Sequence, residues 1–202
     1  GFYNQGRAAS NLVYENTIRP VSSIIFPSLR SYGFDKKVIK EKLLFSHRLI
    51  ALVSFPLYTI LLLFAEEFIL TLYGPKWELS IIPFMLFIPL AIRRSISSPT
   101  GSILQLYEKQ KVDLLFALIG AFLFIPGLLL VTSLGLNVVV LFVVSFRILV
   151  GGLRFWYMRK LIGLTYREFI GNLLPTITYT LVAAGISVAV ARLLFPYLGT
   201  FS

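Results

Sequence analysis

Apolar segments long enough to cross a bilayer recur about every thirty residues along this chain, separated by short loops that carry most of its charge. That pattern restricts the fold severely. A crossing needs about 20 residues, and in lipid the backbone must satisfy its own hydrogen bonds, which a helix does. The chain has room for roughly six such crossings. We place them at about 2–29, 43–64, 79–106, 113–134, 136–157 and 169–194. Composition agrees, with 57% hydrophobic and 14% charged residues, where soluble domains carry about 25% charged residues. The expected fold is all-α: a polytopic membrane helical bundle forming a single transmembrane domain over residues 1–202.

The loops orient the bundle. Arg30, Lys36, Lys37, Lys40, Lys42 and Arg48 outweigh Asp35 and Glu41 in the first loop, which is therefore cytoplasmic. The segment 65–78 carries Glu66, Glu67 and Glu78 against Lys76 and reads as an external loop. Lys109 and Lys111, then Arg154, Arg159, Lys160 and Arg167, mark two further cytoplasmic loops, while the turn from Ser133 to Asn137 is uncharged and external. Tyr73 and Trp77 fall at an outer boundary, Trp156 and Tyr157 at an inner one. Gly74-Pro75 and Leu134-Gly135 are turn signals. The net charge of +10 is explained by these cytoplasmic loops, and no basic run is long enough to serve nucleic acid. The chain opens at Gly1-Phe2-Tyr3, already at the mouth of a helix, which suggests a fragment of a longer protein.

The first segment departs from a lipid-facing helix. Asn4, Arg7, Asn11, Glu15, Arg19 and Ser22 recur at spacings of three or four and form one polar face. Leu12, Val13, Ile18, Val21, Ile24, Ile25 and Phe26 occupy the rest. Such a helix suits the wall of a wet cavity inside a membrane protein, which points to transport. An arginine in mid-membrane costs about 2.5–3.5 kcal/mol on insertion scales, so it is rarely kept without a partner. Glu15 and Arg19 can pair at i,i+4. Arg7 has no acid at helical spacing and is available to an anion such as phosphate, or to another helix. Pro20 and Pro27 each remove a backbone donor.

Arg93 and Arg94 lie deep in the third segment, about 25 Å of helix below Trp77, and adjacent residues point about 100° apart, so at most one aims straight into a cavity. The run Ser95 to Ser102, with Pro99 and Gly101, is consistent with an interrupted helix exposing backbone groups or with a small-residue packing surface. Arg147 and Arg154 share a helix face, and Arg147 is within snorkelling reach of the inner boundary. His47, the only histidine, is placed at the inner interface with no function, and Asp113 as a helix cap. Zinc-protease and phosphate-loop motifs, Cys–His clusters and a Ser/His/Asp set do not occur. No catalytic residues, metal ligands or cofactor are expected, and the chain is read as a non-enzyme.

The first segment resembles the polysaccharide flippases of the Wzx type, in the superfamily that also holds lipid II flippases and multidrug-and-toxin extruders. The residues that carry the likeness are Gly1-Phe2-Tyr3, Arg19-Pro20-Val21 and Phe26-Pro27-Ser28-Leu29, similar to the family's G-[FY]-Y…P-V…F-P-x-L-S helix, with Arg30 where the family usually has Ser. Gly74-Pro75-Lys76-Trp77 is similar to the family's G-x-x-W turn. The likeness covers residues 1–110 well and the remainder by topology only.

The resemblance implies one lobe of a two-lobe transporter of 12–14 helices, in the cytoplasmic membrane, with this chain as the C-terminal lobe less its last helix. It implies an undecaprenyl-diphosphate-linked oligosaccharide as substrate, carried to the outer leaflet for O-antigen, capsule or exopolysaccharide synthesis. Arg7, Asn11, Glu15, Arg19, Arg93 and Arg94 are the candidate substrate-binding residues, with Arg7 and one of Arg93/Arg94 on the diphosphate. Membrane lipid, the N-terminal lobe and glycan-assembly proteins would be the partners. The alternatives are a cation-coupled drug extruder of the same superfamily and a non-transporting scaffold of a glycan-assembly complex.

Overall fold

The computed structural model describes residues 1–20 and 35–198. Helix α1 spans Phe2–Val13 and runs into a π-turn at Tyr14–Ile18. Pro20 follows, and its missing N–H removes one rung of the ladder just where the helix widens. The Asn16 side chain donates to the Leu12 carbonyl at 2.9 Å, meeting an acceptor the wider turn loosens. Ser22, Pro27, Arg30 and the inner end of the first predicted crossing lie outside the described residues.

Helix α2 spans Lys36–Leu63, opened by Asp35, whose carboxylate accepts from the backbone N–H of Lys37 and Val38 at 2.9 and 3.3 Å. Helix α3 covers Ala65–Tyr73 and a 3-10 turn covers Pro75–Ser80. The segment 65–78 is thus mostly helical, contrary to the loop expected from its acidic residues. Its Glu66 and Glu67 sit in the first turn of α3, where the helix dipole favours them. Helix α4 spans Ile81–Leu106, α5 Gln110–Val131, α6 Leu136–Ile162 and α7 Tyr166–Leu198. Five helical stretches are long and apolar enough to cross a membrane, against six crossings expected. The described part of the first segment is not among them.

Helix α4 is the hub, packing on α1, α2, α3, α5 and α6. It is unbroken from Ile81 to Leu106, which overturns the interrupted-helix expectation for Ser95 to Ser102. The hydroxyls there turn back on their own helix: Ser95 Oγ donates to the Ala91 carbonyl and Ser98 Oγ to that of Ser95, each at 2.9 Å. Helices α1 and α4 run parallel and in contact, Phe2 against Trp77 with ring centroids 5.7 Å apart and Tyr3 against Phe87 at 5.3 Å. Gly6 makes the approach possible, since a Cβ there would sit 2.8 Å from the Phe84 backbone nitrogen and 2.9 Å from Pro83 Cβ.

Apolar clusters hold the two ends. Ala9, Tyr58, Ile69, Phe84 and Ile88 join α1 to α4 at the outer end. Ile39, Leu43, Ile103, Leu104, Met158 and Ile162 join α2, α4 and α6 at the inner end. Helix α5 packs chiefly on α6 and leaves Leu114, Leu118, Phe122, Leu129 and Leu130 exposed, as a lipid-facing helix does. Helix α7 is tied to α2 at the inner face, where Lys40 Nζ meets Glu168 Oε1 at 2.7 Å and Asn172 donates to the Leu44 carbonyl at 2.8 Å. His47 is fully buried in α2 with its ring edge-on to Phe169 of α7, 5.2 Å between centroids, and packs the two helices together.

Candidate functional site

Between α1, α4, α5 and α6 lies a cleft of about 540 Å³. Five arginines line it, Arg7, Arg93, Arg94, Arg147 and Arg154, and among the described residues no acidic side chain does. The apolar walls are Tyr3, Phe87, Phe116, Phe124 and Phe146, and Ser10 and Asn11 add polar groups from α1. A strongly cationic, partly aromatic cleft inside a membrane bundle fits an anionic head on an amphipathic molecule.

Each arginine reaches the cleft from a different position. Arg7 is exposed on α1, one residue beyond the Gly6 contact. Asn11 and Glu15 follow at i+4 and i+8, and both meet Arg94 of α4. Nη1 donates to Asn11 Oδ1 and Nη2 to Glu15 Oε1, each at 3.1 Å. The Arg94 guanidinium also lies over the Tyr14 ring, 4.0 Å from its centroid. The other Glu15 oxygen accepts from Arg19 Nη1 at 2.7 Å, the i,i+4 pair expected from spacing. Glu15 therefore holds two arginines, one within its own helix and one across the interface.

Arg93 points the other way, to α6. Its guanidinium lies in the space a side chain on Gly151 would fill. The positive charges of Arg154 and Arg147 both bear on it, and its Nε is buried with no hydrogen-bond partner among the described residues. Arg154 is ion-paired with Asp113 in the first turn of α5. Asp113 is thus a charge partner rather than the helix cap expected, and Lys109 holds the cap position. Among the described residues Arg7, Arg93 and Arg147 have no acidic partner.

Of the six residues predicted from sequence, Arg7, Asn11, Arg93 and Arg94 line the cleft. Glu15 and Arg19 stand outside its lining. Glu15 anchors Arg94, and Arg19 is largely exposed. The adjacent arginines 93 and 94 both reach the cleft because long side chains diverge to opposite walls. Arg147 was expected to snorkel and instead lines the cleft with Arg154. Their seven-residue spacing already put them on one helix face, and only the packing of α6 on α4 turns that face inward.

A family profile described as "Polysaccharide biosynthesis protein" matches residues 1–82. The chain is 31% identical over 126 residues to the teichuronic acid biosynthesis protein TuaB of Bacillus subtilis, covering 58% of this chain and 26% of that protein. It is 24% identical over 175 residues to the lipopolysaccharide biosynthesis protein WzxC of Escherichia coli, covering 81% and 35% respectively. An uncharacterized membrane protein in the cps region of Klebsiella pneumoniae is 27% identical over 126 residues. The chain spans about a quarter to a third of the length of these curated relatives. No solved structure matches. The resemblance to Wzx-type polysaccharide biosynthesis proteins holds, and with five membrane-length helices the chain is part of a multi-pass cell-membrane protein.

Proposed function

We propose that this chain is the C-terminal lobe of a flippase that carries undecaprenyl-diphosphate-linked oligosaccharide from the cytoplasmic to the outer leaflet, moving the substrate without converting it. The observation that carries the reading is a cleft lined by five arginines, three of them without an acidic partner among the described residues. A diphosphate carries more than one negative charge, and guanidinium groups bind phosphate oxygens bidentately. Arg93 and Arg147 are the arginines best placed for it, because both face the cleft without an acidic partner among the described residues. Arg7 would receive the same group nearer the outer side. Arg94 is committed to Glu15, Asn11 and Tyr14 and serves to hold α1 on α4. The phenylalanines of the walls suit the first isoprene units of the polyprenyl tail. A cationic drug would meet repulsion from Arg7, Arg93 and Arg147, which have no acidic partner among the described residues.

The test uses the full-length protein in cells lacking their own exporter for the same polymer. Arg93→Gln and Arg147→Gln should each lower surface polysaccharide about tenfold, the worth of one charge-assisted contact, with the protein still in the membrane and lipid-linked precursor accumulating inside. Full export by the double variant would overturn the proposal.

A further inference from the structure

Gly151 differs from the other close-packed glycines in what it touches. At Gly6 an added Cβ meets the backbone of α4, and at Gly127 it meets the ring of Phe142. At Gly151 the three nearest atoms all belong to the end of one flexible side chain, Nη1, Cζ and Nη2 of Arg93. An alanine at Gly6 must move a helix, whereas an alanine at Gly151 needs only to displace a guanidinium. The next residue is a built-in control, since a Cβ on Gly152 meets nothing within 4 Å.

We infer that Gly151 is a positioning residue of the cleft: its missing side chain is the seat that brings the Arg93 guanidinium across onto α6, beside Arg147 and Arg154. The inference rests on the anion-binding reading above and names the residue that assembles the site. Three guanidinium groups at one place repel each other, so the cluster needs an imposed geometry. The depression at Gly151 imposes it on Arg93, and Asp113 offsets the charge of Arg154. Arg93 and Arg147 are then left to bind one multiply charged anion between them. A Cβ at 151 turns Arg93 away and leaves Arg147 to bind alone.

The experiment uses the full-length protein in lipid nanodiscs, with inorganic pyrophosphate as probe, alongside export in cells. Gly151→Ala should weaken pyrophosphate binding and lower export about tenfold, and Gly152→Ala should change neither by more than about twofold. In an Arg93→Ala background, Gly151→Ala should add no further loss, because the group it displaces is gone. Thermal unfolding of Gly151→Ala should match that of the unmodified protein. The inference is overturned if Gly151→Ala binds pyrophosphate normally, if its effect is the same with and without Arg93, or if the unmodified protein does not bind the probe. Should the protein bind pyrophosphate with this pattern yet export no lipid-linked oligosaccharide, the export proposal fails and the role of Gly151 stands.

Discussion

Glu15 and Arg94 meet across the α1–α4 interface at 3.1 Å, while the second carboxylate oxygen of Glu15 holds Arg19 at 2.7 Å. One acid thus restrains two cations on two sides of the same helix. Both members of the cross-helix pair are partly exposed, so its contribution to stability is small. Its consequence is geometric, because it fixes α1 against α4 at the depth of the cleft. Glu15→Gln and Arg94→Gln should lower the melting temperature slightly and by similar amounts. The double variant should fall no further than the lower single, the signature of one shared contact in a double-mutant cycle. Additive losses would mean that the two side chains act separately.

Asp113 offsets Arg154 at the inner end of the cleft. Asp113→Asn should cost about 1 kcal/mol of stability, since both groups remain partly solvated. It should also tighten pyrophosphate binding, because a fourth cleft arginine is then left without an acid. Arg154→Gln should weaken binding less than Arg147→Gln does. Isothermal titration of the purified full-length variants measures both.

Gly6 tests the helix contact itself. Gly6→Ala puts a Cβ 2.8 Å from the Phe84 nitrogen, so α1 has to lift from α4. Overpacking of this kind costs about 1–3 kcal/mol. The variant should melt earlier, and binding should fall along with the folded fraction. Unchanged melting would show that α1 is held less closely than described.

Gly74 and Gly135 begin the two external turns with φ of +88° and +98° and ψ near the extended value, a region open essentially to glycine. Gly135→Ala should destabilise by about 1–3 kcal/mol. Gly171→Ala, in the middle of a helix with nothing within 4 Å of the new Cβ, should be neutral or stabilising by roughly 0.5–1 kcal/mol. Chemical denaturation of the two variants compares them directly.

Much of this was legible in the residues. Hydropathy located five of the six expected crossings as long apolar helices, because a bilayer imposes length and apolarity on such segments, and Gly74 and Gly135 marked turns because their backbone angles exclude other residues. The i,i+4 spacing of Glu15 and Arg19 was enough to pair them, since both sit on one helix. The acidic stretch 65–78 misled because two glutamates in a first helical turn look like a loop when only charge is counted. Ser95 to Ser102 misled because small hydroxyl residues can satisfy their own helix as readily as break it. Asp113 was misassigned because its partner Arg154 lies on another helix, and the place of Arg147 depends on how α6 packs on α4.

By itself, then, the sequence determined the class of fold and the supply of arginines, both of which depend on composition and local spacing. Only the tertiary structure decided which arginines act together. Arg93 shares a cleft with Arg147 and Arg154 because α6 packs on α4 with Gly151 facing the Arg93 guanidinium, and Arg94 is withdrawn because α1 brings Glu15 to it. Those are distances between helices far apart in the chain, set by packing, and no local periodicity encodes them.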